Sequence, residues 1–166
     1  MIWNDTFIRE WAENGGVEPS EGISVNPASL DLRWSGRYRA ASRTLGGWSE
    51  LYDVDVLELK PGGFYLLDTL EFVRMPPDAV GKLFLKSSAG RLGIEHLHAG
   101  YVDPDFCGTL TLEIEIRVPW TVAIKRNQRL VQLTLEQMVA APAVSYSAVG
   151  RYNNQRVPTT SKGLPE

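Results

Sequence analysis

Between residues 29 and 138 the chain alternates apolar and polar positions: SLDLRW at 29 to 34, LYDVDVLELK at 51 to 60, GFYLL at 63 to 67, LEFVRM at 70 to 75, GKLFLK at 81 to 86, TLTLEIEI at 109 to 116, TVAIK at 121 to 125 and RLVQLTLEQM at 129 to 138. A period of two sends successive side chains to opposite faces, so each run predicts a strand with one face in a core. The runs are short and separated by Pro61-Gly62-Gly63, Pro76-Pro77, Asp103-Pro104-Asp105 and Pro119, with no helix-length segment between them. That punctuation predicts antiparallel connections, hence an all-β sandwich, jelly roll or barrel.

The pattern changes at the two ends. From Asp5 to Glu13, Phe7, Ile8 and Trp11 fall on one helical face, with Asp5 as cap and Gly15-Gly16 as stop, which predicts a short helix within residues 1-16. Residues 150-166, GRYNNQRVPTTSKGLPE, are polar and short of apolar anchors. Such a stretch is disordered in isolation; it either frays or orders by closing over an anionic ligand with Arg151, Tyr152, Gln155, Arg156, Ser161 and Lys162.

A length of 166 residues suits one domain, 1-166, that buries roughly two thirds of the surface its unfolded chain exposes. The net charge of -3 and pI near 5.5 argue against a nucleic-acid footprint, though a small anion needs only a few cations in one pocket. Charges interrupt the apolar residues at the N-terminus and no later run matches a bilayer span, so the reading is a soluble, cytoplasmic protein with no membrane partner. Cys107 is the single cysteine, which gives no internal disulfide and fits a reducing compartment.

The same lone cysteine bears on chemistry. Zinc nucleobase deaminases use a His/Cys/Cys or three-cysteine site with H-x-E and P-C-x-x-C signatures, which this chain lacks, so any base deamination here is expected to be zinc-independent. His96 and His98 stand near Asp103 without a clear further ligand, and a bare His-x-His is a weak metal signal. KSSAGRLG, 86 to 93, is either a strand connection or a phosphate cradle in which Lys86, Ser87, Ser88 and Arg91 bond phosphate oxygens. In TLTLEIEI the apolar face is Leu110, Leu112, Ile114 and Ile116, and Thr109, Thr111, Glu113 and Glu115 form the other, by default a solvated one. Asp103, before Pro104, is by the same reasoning an ordinary turn residue.

Taken together these segments resemble the dCTP deaminases, a family that shares a superfamily with the trimeric dUTPases. KSSAGRLG resembles the family's R-S-S-x-x-R-x-G segment, and HAGYVDPDFCGTLTLEI its T-A-x-x-[IV]-D-P-G-[FW]-x-G-x-[IL]-x-L-E stretch. QRLVQLTLE resembles the later strand after a basic turn, RYNNQRVPTTSKG the closing tail with its Tyr-x-x-Gln, DTFIREWAENGGV the N-terminal helix and NPASLDLRWSGRYR the first long strand. The resemblance implies a homotrimer of distorted, dUTPase-like jelly rolls with active sites across subunit interfaces and Mg2+ held mainly by the triphosphate. It implies dCTP as substrate, dUTP as product with conversion on to dUMP in bifunctional members, and dTTP as an inhibitor in relatives.

Roles follow residue by residue from that resemblance. Glu113 takes the place of the general base for attack on C4 of cytosine, and Asp103 that of the contact to the deoxyribose 3'-hydroxyl. Ser87 and Ser88 would hold phosphate oxygens or the catalytic water, with Lys86 beside them, and Arg91 would support the base and leaving group. Ala99 and its neighbours, Tyr101 among them, would meet the pyrimidine, and Tyr152, Gln155 and Lys162 belong to the tail over the triphosphate. The chain departs from the pattern at Lys86, where the family has arginine, at His98, where threonine is usual, and at Asp105, where glycine is usual; Tyr101 stands at a variable position. Two alternatives stand beside the deaminase: a dUTPase or dNTP pyrophosphatase, whose hairpin AGYVD also resembles, and an inactive dNTP-binding protein on the same fold. The compact length also suits a phage-encoded protein.

Overall fold

The alternating runs fold into strands, and most of them join one curled antiparallel sheet. The structure is a computed structural model that describes residues 1-42, 44-96 and 99-164. In chain order the strands are β1 (Val17–Glu18), β2 (Ser24–Asn26), β3 (Ser29–Ser42), β4 (Gly47–Trp48), β5 (Tyr52–Asp53), β6 (Val56–Leu59), β7 (Phe64–Arg74), β8 (Ala79–Leu85), β9 (Ile94–His96), β10 (Tyr101–Val102), β11 (Cys107–Ile116), β12 (Val122–Lys125) and β13 (Arg129–Gln137). Along the main sheet the order is β10-β8-β13-β3-β7-β11-β9, and β12 pairs with β6 apart from it. The expected all-β architecture is therefore the one the chain adopts.

The core is built by the period-two pattern. Leu110, Leu112, Ile114 and Ile116 of β11, Leu30, Leu32 and Trp34 of β3, and Val131, Leu133 and Leu135 of β13 are all buried, together with Leu57, Leu59 and Ile124 from the smaller pair. Each of these side chains contributes about 1.5–3 kcal/mol by leaving water.

Three details differ from the reading of the sequence. The helix α1 runs Asp5–Trp11 and is capped by Asn4, whose side chain accepts from the Phe7 N–H at 3.1 Å, rather than by Asp5. On that helix Ile8 is buried while Phe7 is largely exposed, so the inward face is Ile8 and Ala12, with Trp11 anchored by its Nε1–H to the Arg74 carbonyl. The runs at 63 to 67 and 70 to 75 are one strand, β7, because Asp68 and Thr69, which break the alternation, are fully buried with partners. Asp68 accepts from the Ser35 hydroxyl and pairs with Arg37 at 2.5 Å, while Thr69 Oγ1 donates to the Glu71 carbonyl and accepts from the Leu110 N–H. Burying these polar groups is tolerable only because each is satisfied.

Candidate active site

β11 positions the acid that the sequence singles out. With Leu112 and Ile114 fixed in the core, the strand pleat turns Thr111 and Glu113 to the opposite face, and Glu113 sits in register with Leu66 of β7. That face is covered by the tail instead of by bulk water. The Gln155 carbonyl accepts from the Thr109 N–H at 2.9 Å, the Gln155 Nε2 amide donates to the Thr109 carbonyl at 2.8 Å, and Gly108 and Gln155 form a parallel bridge. Further along, the Thr159 N–H donates to Thr111 Oγ1 at 3.2 Å and Arg39 Nε donates to the Pro158 carbonyl at 3.3 Å. Arg156 lies over the Phe72 ring, 4.5 Å from its centroid. Residues 153 to 159 are thereby strapped along β11, and Lys162 and Gly163 fold back onto Arg151 and Tyr152.

Between strap and strand lies a cavity of about 460 Å3, a size suited to a small-molecule ligand. Glu113 and Asp103, ten positions apart in the chain, both line it, as do Ala99, Tyr101, Tyr152 and Gln155. Glu113 Oε2 is buried without a hydrogen-bond partner, and so is Gln155 Oε1. Two acceptors held out of water in one pocket call for a ligand that brings donors. Burial raises the carboxyl pKa of Glu113, and that of Asp103, above the ordinary values. A carboxyl displaced in this direction takes up a proton more readily, as a proton carrier must.

The rest of the expected set lies elsewhere. Lys86 pairs with buried Asp31 at 2.6 Å, and Ser87, Ser88 and Arg91 are exposed on or just after a one-turn helix, α2 (Ser87–Gly90); none of the four lines the cavity. Lys162 is at the rim, its ammonium 5.3 Å from the Tyr152 ring centroid and its N–H donating to the Tyr152 hydroxyl at 3.0 Å. His98 lies outside the described residues. Among the described lining residues there is no lysine or arginine. Sequence reasoning missed the aromatic walls Trp48, Phe64 and Tyr146, which come from segments far apart in the chain, and Thr111. Only Thr111 had a signal, its place two residues before Glu113 on the same strand face.

A family model described as dCTP deaminase-like matches residues 2–138. A "dCTP deaminase, dUMP-forming" of Mycobacterium leprae is 34% identical over 181 residues, covering 98% of this chain and 95% of its own, and one of Dictyoglomus turgidum is 36% identical over 185 residues, covering 98% and 94%. Among solved structures, the 2'-deoxycytidine 5'-triphosphate deaminase of Agrobacterium tumefaciens superposes with a TM-score of 0.71 at 24% identity, over 82% of this chain and 48% of that one. The dUTPase of Staphylococcus bacteriophage 80alpha with dUPNHPP shares the fold more distantly, at a TM-score of 0.52 and 14% identity over 74% of this chain and 79% of its own.

Proposed function

This chain belongs to the dCTP deaminase-like family, and from that premise we propose that it hydrolyses dCTP to ammonia and a deoxyuridine nucleotide without zinc, with Glu113 as the proton carrier. The observation that carries this reading is the buried, unpartnered oxygen of Glu113 in the cavity it shares with Asp103. In the reaction Glu113 removes one proton from water as the water oxygen bonds to C4 and passes it to N3, then carries the second proton, from the new C4 hydroxyl, to the departing amino group. The C4–N bond breaks, ammonia leaves, and C4 becomes the carbonyl of uracil. One carboxylate serves both transfers. Asp103 accepts from the sugar 3'-hydroxyl, Ala99 and Tyr101 flank the base, and the strap with Tyr152, Gln155 and Lys162 lies over the phosphates.

A cavity with two acids and no cation among its described lining residues is incomplete for a triphosphate. The exposed turn with Ser87, Ser88 and Arg91, and Lys86 at its start, has the missing chemistry, and it reaches a nucleotide as the contribution of a second copy. This reading therefore includes a homotrimer with shared sites. Mg2+ enters as a partner of the nucleotide. Asp103 lines the cavity as one carboxylate donor, and an ion carried in on the triphosphate would take its other ligands from phosphate oxygens and water. Bound there, the ion neutralises phosphate charge.

The names of the relatives extend the proposal to dUMP as final product, with the water-driven release of diphosphate from dUTP as the second step. Incubation with dCTP and Mg2+, followed by an ammonia assay and ion-exchange separation, tests both steps. Ammonia with dUMP and diphosphate is expected. Ammonia with dUTP alone would remove the second step; dUMP from dUTP with dCTP untouched would make the chain a dUTPase, and no turnover of either would sink the enzymatic reading.

A further inference from the structure

Asp105 stands in the turn between β10 and β11 with a φ of 64°, a left-handed conformation that aspartate adopts more readily than most residues but still at a cost. The turn is fixed at both sides: the Asp105 N–H donates to the Pro76 carbonyl at 3.2 Å, and the Phe106 carbonyl accepts from the Met75 N–H at 2.8 Å. From this platform the carboxylate reaches residues forty positions away. Oδ2 accepts from the hydroxyl of Ser145 and from that of Ser147 at 2.5 Å. These bonds hold the Asp105 carboxyl below its usual range, so it is ionised at neutral pH and the bonds are charge-assisted.

What the clamp holds is the residue between the two serines. Tyr146 opens the short helix α3 (Tyr146–Val149), packs on Phe106 with ring centroids 5.9 Å apart, and lines the cavity. Its carbonyl accepts from the Gly150 N–H at 2.6 Å, and its ring lies so close to Gly150 that an added Cβ there would sit 2.2 Å from it. Gly150 leads into the strap. Three residues later Asn153 Oδ1 accepts from the Cys107 N–H at 2.8 Å, and the Asn154 N–H donates to the Cys107 carbonyl.

We propose that Asp105 is a positioning residue: by bridging Ser145 and Ser147 it fixes Tyr146 as a wall of the nucleotide cavity and sets the point from which the strap is laid over the site. It touches no substrate, and its part in nucleotide binding rests on the proposed function; the clamp itself does not.

The test uses the full-length protein and two kinds of variant, Asp105→Gly, which removes the carboxylate and suits a positive φ, and the paired change Ser145→Ala with Ser147→Ala. Hydrogen exchange at 145 to 155 should accelerate about tenfold in both, while β7 and β11 core amides keep their protection. Asp105→Asn, which keeps an acceptor oxygen and tolerates the backbone, should restore most of that protection. With dCTP, KM should rise roughly threefold at nearly constant kcat as the closed population of the strap falls. Unchanged exchange at 145 to 155 in both kinds of variant overturns the clamp. Faster exchange with KM unchanged overturns its role in nucleotide binding, and a protein that turns over no nucleotide removes the kinetic arm along with the proposed function while exchange still decides the clamp.

Discussion

Half-buried Glu113 and fully buried Asp68 both have raised carboxyl pKa values, yet they are arranged for opposite ends. Glu113 faces the cavity with one oxygen unpartnered, whereas both oxygens of Asp68 are engaged by Ser35 and Arg37. As the base, Glu113 must be ionised, so activity should fall as pH drops through its raised pKa. The acid limb of the kcat/KM profile should therefore lie above the ordinary 4.5; a limb at or below that value would count against the assignment. Glu113→Gln should cost about a thousandfold or more in kcat while nucleotide binding by calorimetry changes little; substantial turnover in the purified variant would remove Glu113 from the chemistry. Asp68, pushed up to about 6 mainly by burial, against the pull of Ser35 and Arg37, binds a proton more tightly folded than unfolded. Its contribution to stability is thus fully present below about 3.8 and lost as pH rises through about 6. In urea melts Asp68→Asn should gain on the parent protein by at most about 3 kcal/mol as pH climbs across that window. A stability difference that stays flat with pH would show that Asp68 keeps an ordinary pKa.

At the scale of elements, β11 and the strap depend on the close approach at Gly108. Its φ is 153°, and a Cβ there would meet Phe106 Cζ at 2.9 Å and the Gln155 carbonyl oxygen at 3.1 Å. Gly108→Ala should lift the strap, seen as faster tryptic cleavage at Arg151 and Arg156 with the strand core intact; equal cleavage rates would mean the strap does not need this contact. The strands themselves were legible, because alternation reports which face is buried whatever the partner. The union of two runs into β7 was not, since Asp68 and Thr69 look like turn residues until their partners across the sheet are known. The strap was only half legible. Its polar composition alone favoured a frayed end over closure, and what anchors it is backbone pairing to β11 and a guanidinium on Phe72, neither of which marks a sequence.

For the whole molecule the question is how an acidic cavity meets an anionic substrate. Motif order brought Glu113, Asp103, Ala99, Tyr101, Tyr152 and Gln155 to attention, and all six line one cavity. The same reasoning grouped Lys86, Ser87, Ser88 and Arg91 with them, and a single subunit keeps those four away, a separation that proximity along the chain cannot reveal. If two copies complete each site, Glu113→Gln and Arg91→Ala variants, each inactive alone, should regain about one quarter of parental activity when co-assembled in equal amounts, the chance that a site draws both intact contributors. No recovery in verified mixed oligomers would place each site within one subunit. Strand β11 adds a practical consequence for altering such an enzyme. Leu112, Ile114 and Ile116 are committed to the core, whereas Thr111 and Glu113 face the cavity and Thr111 also meets the strap. Randomising Thr111 is then a search over ligand preference that leaves those core side chains in place, so a library at that one position could change specificity at little cost to folding.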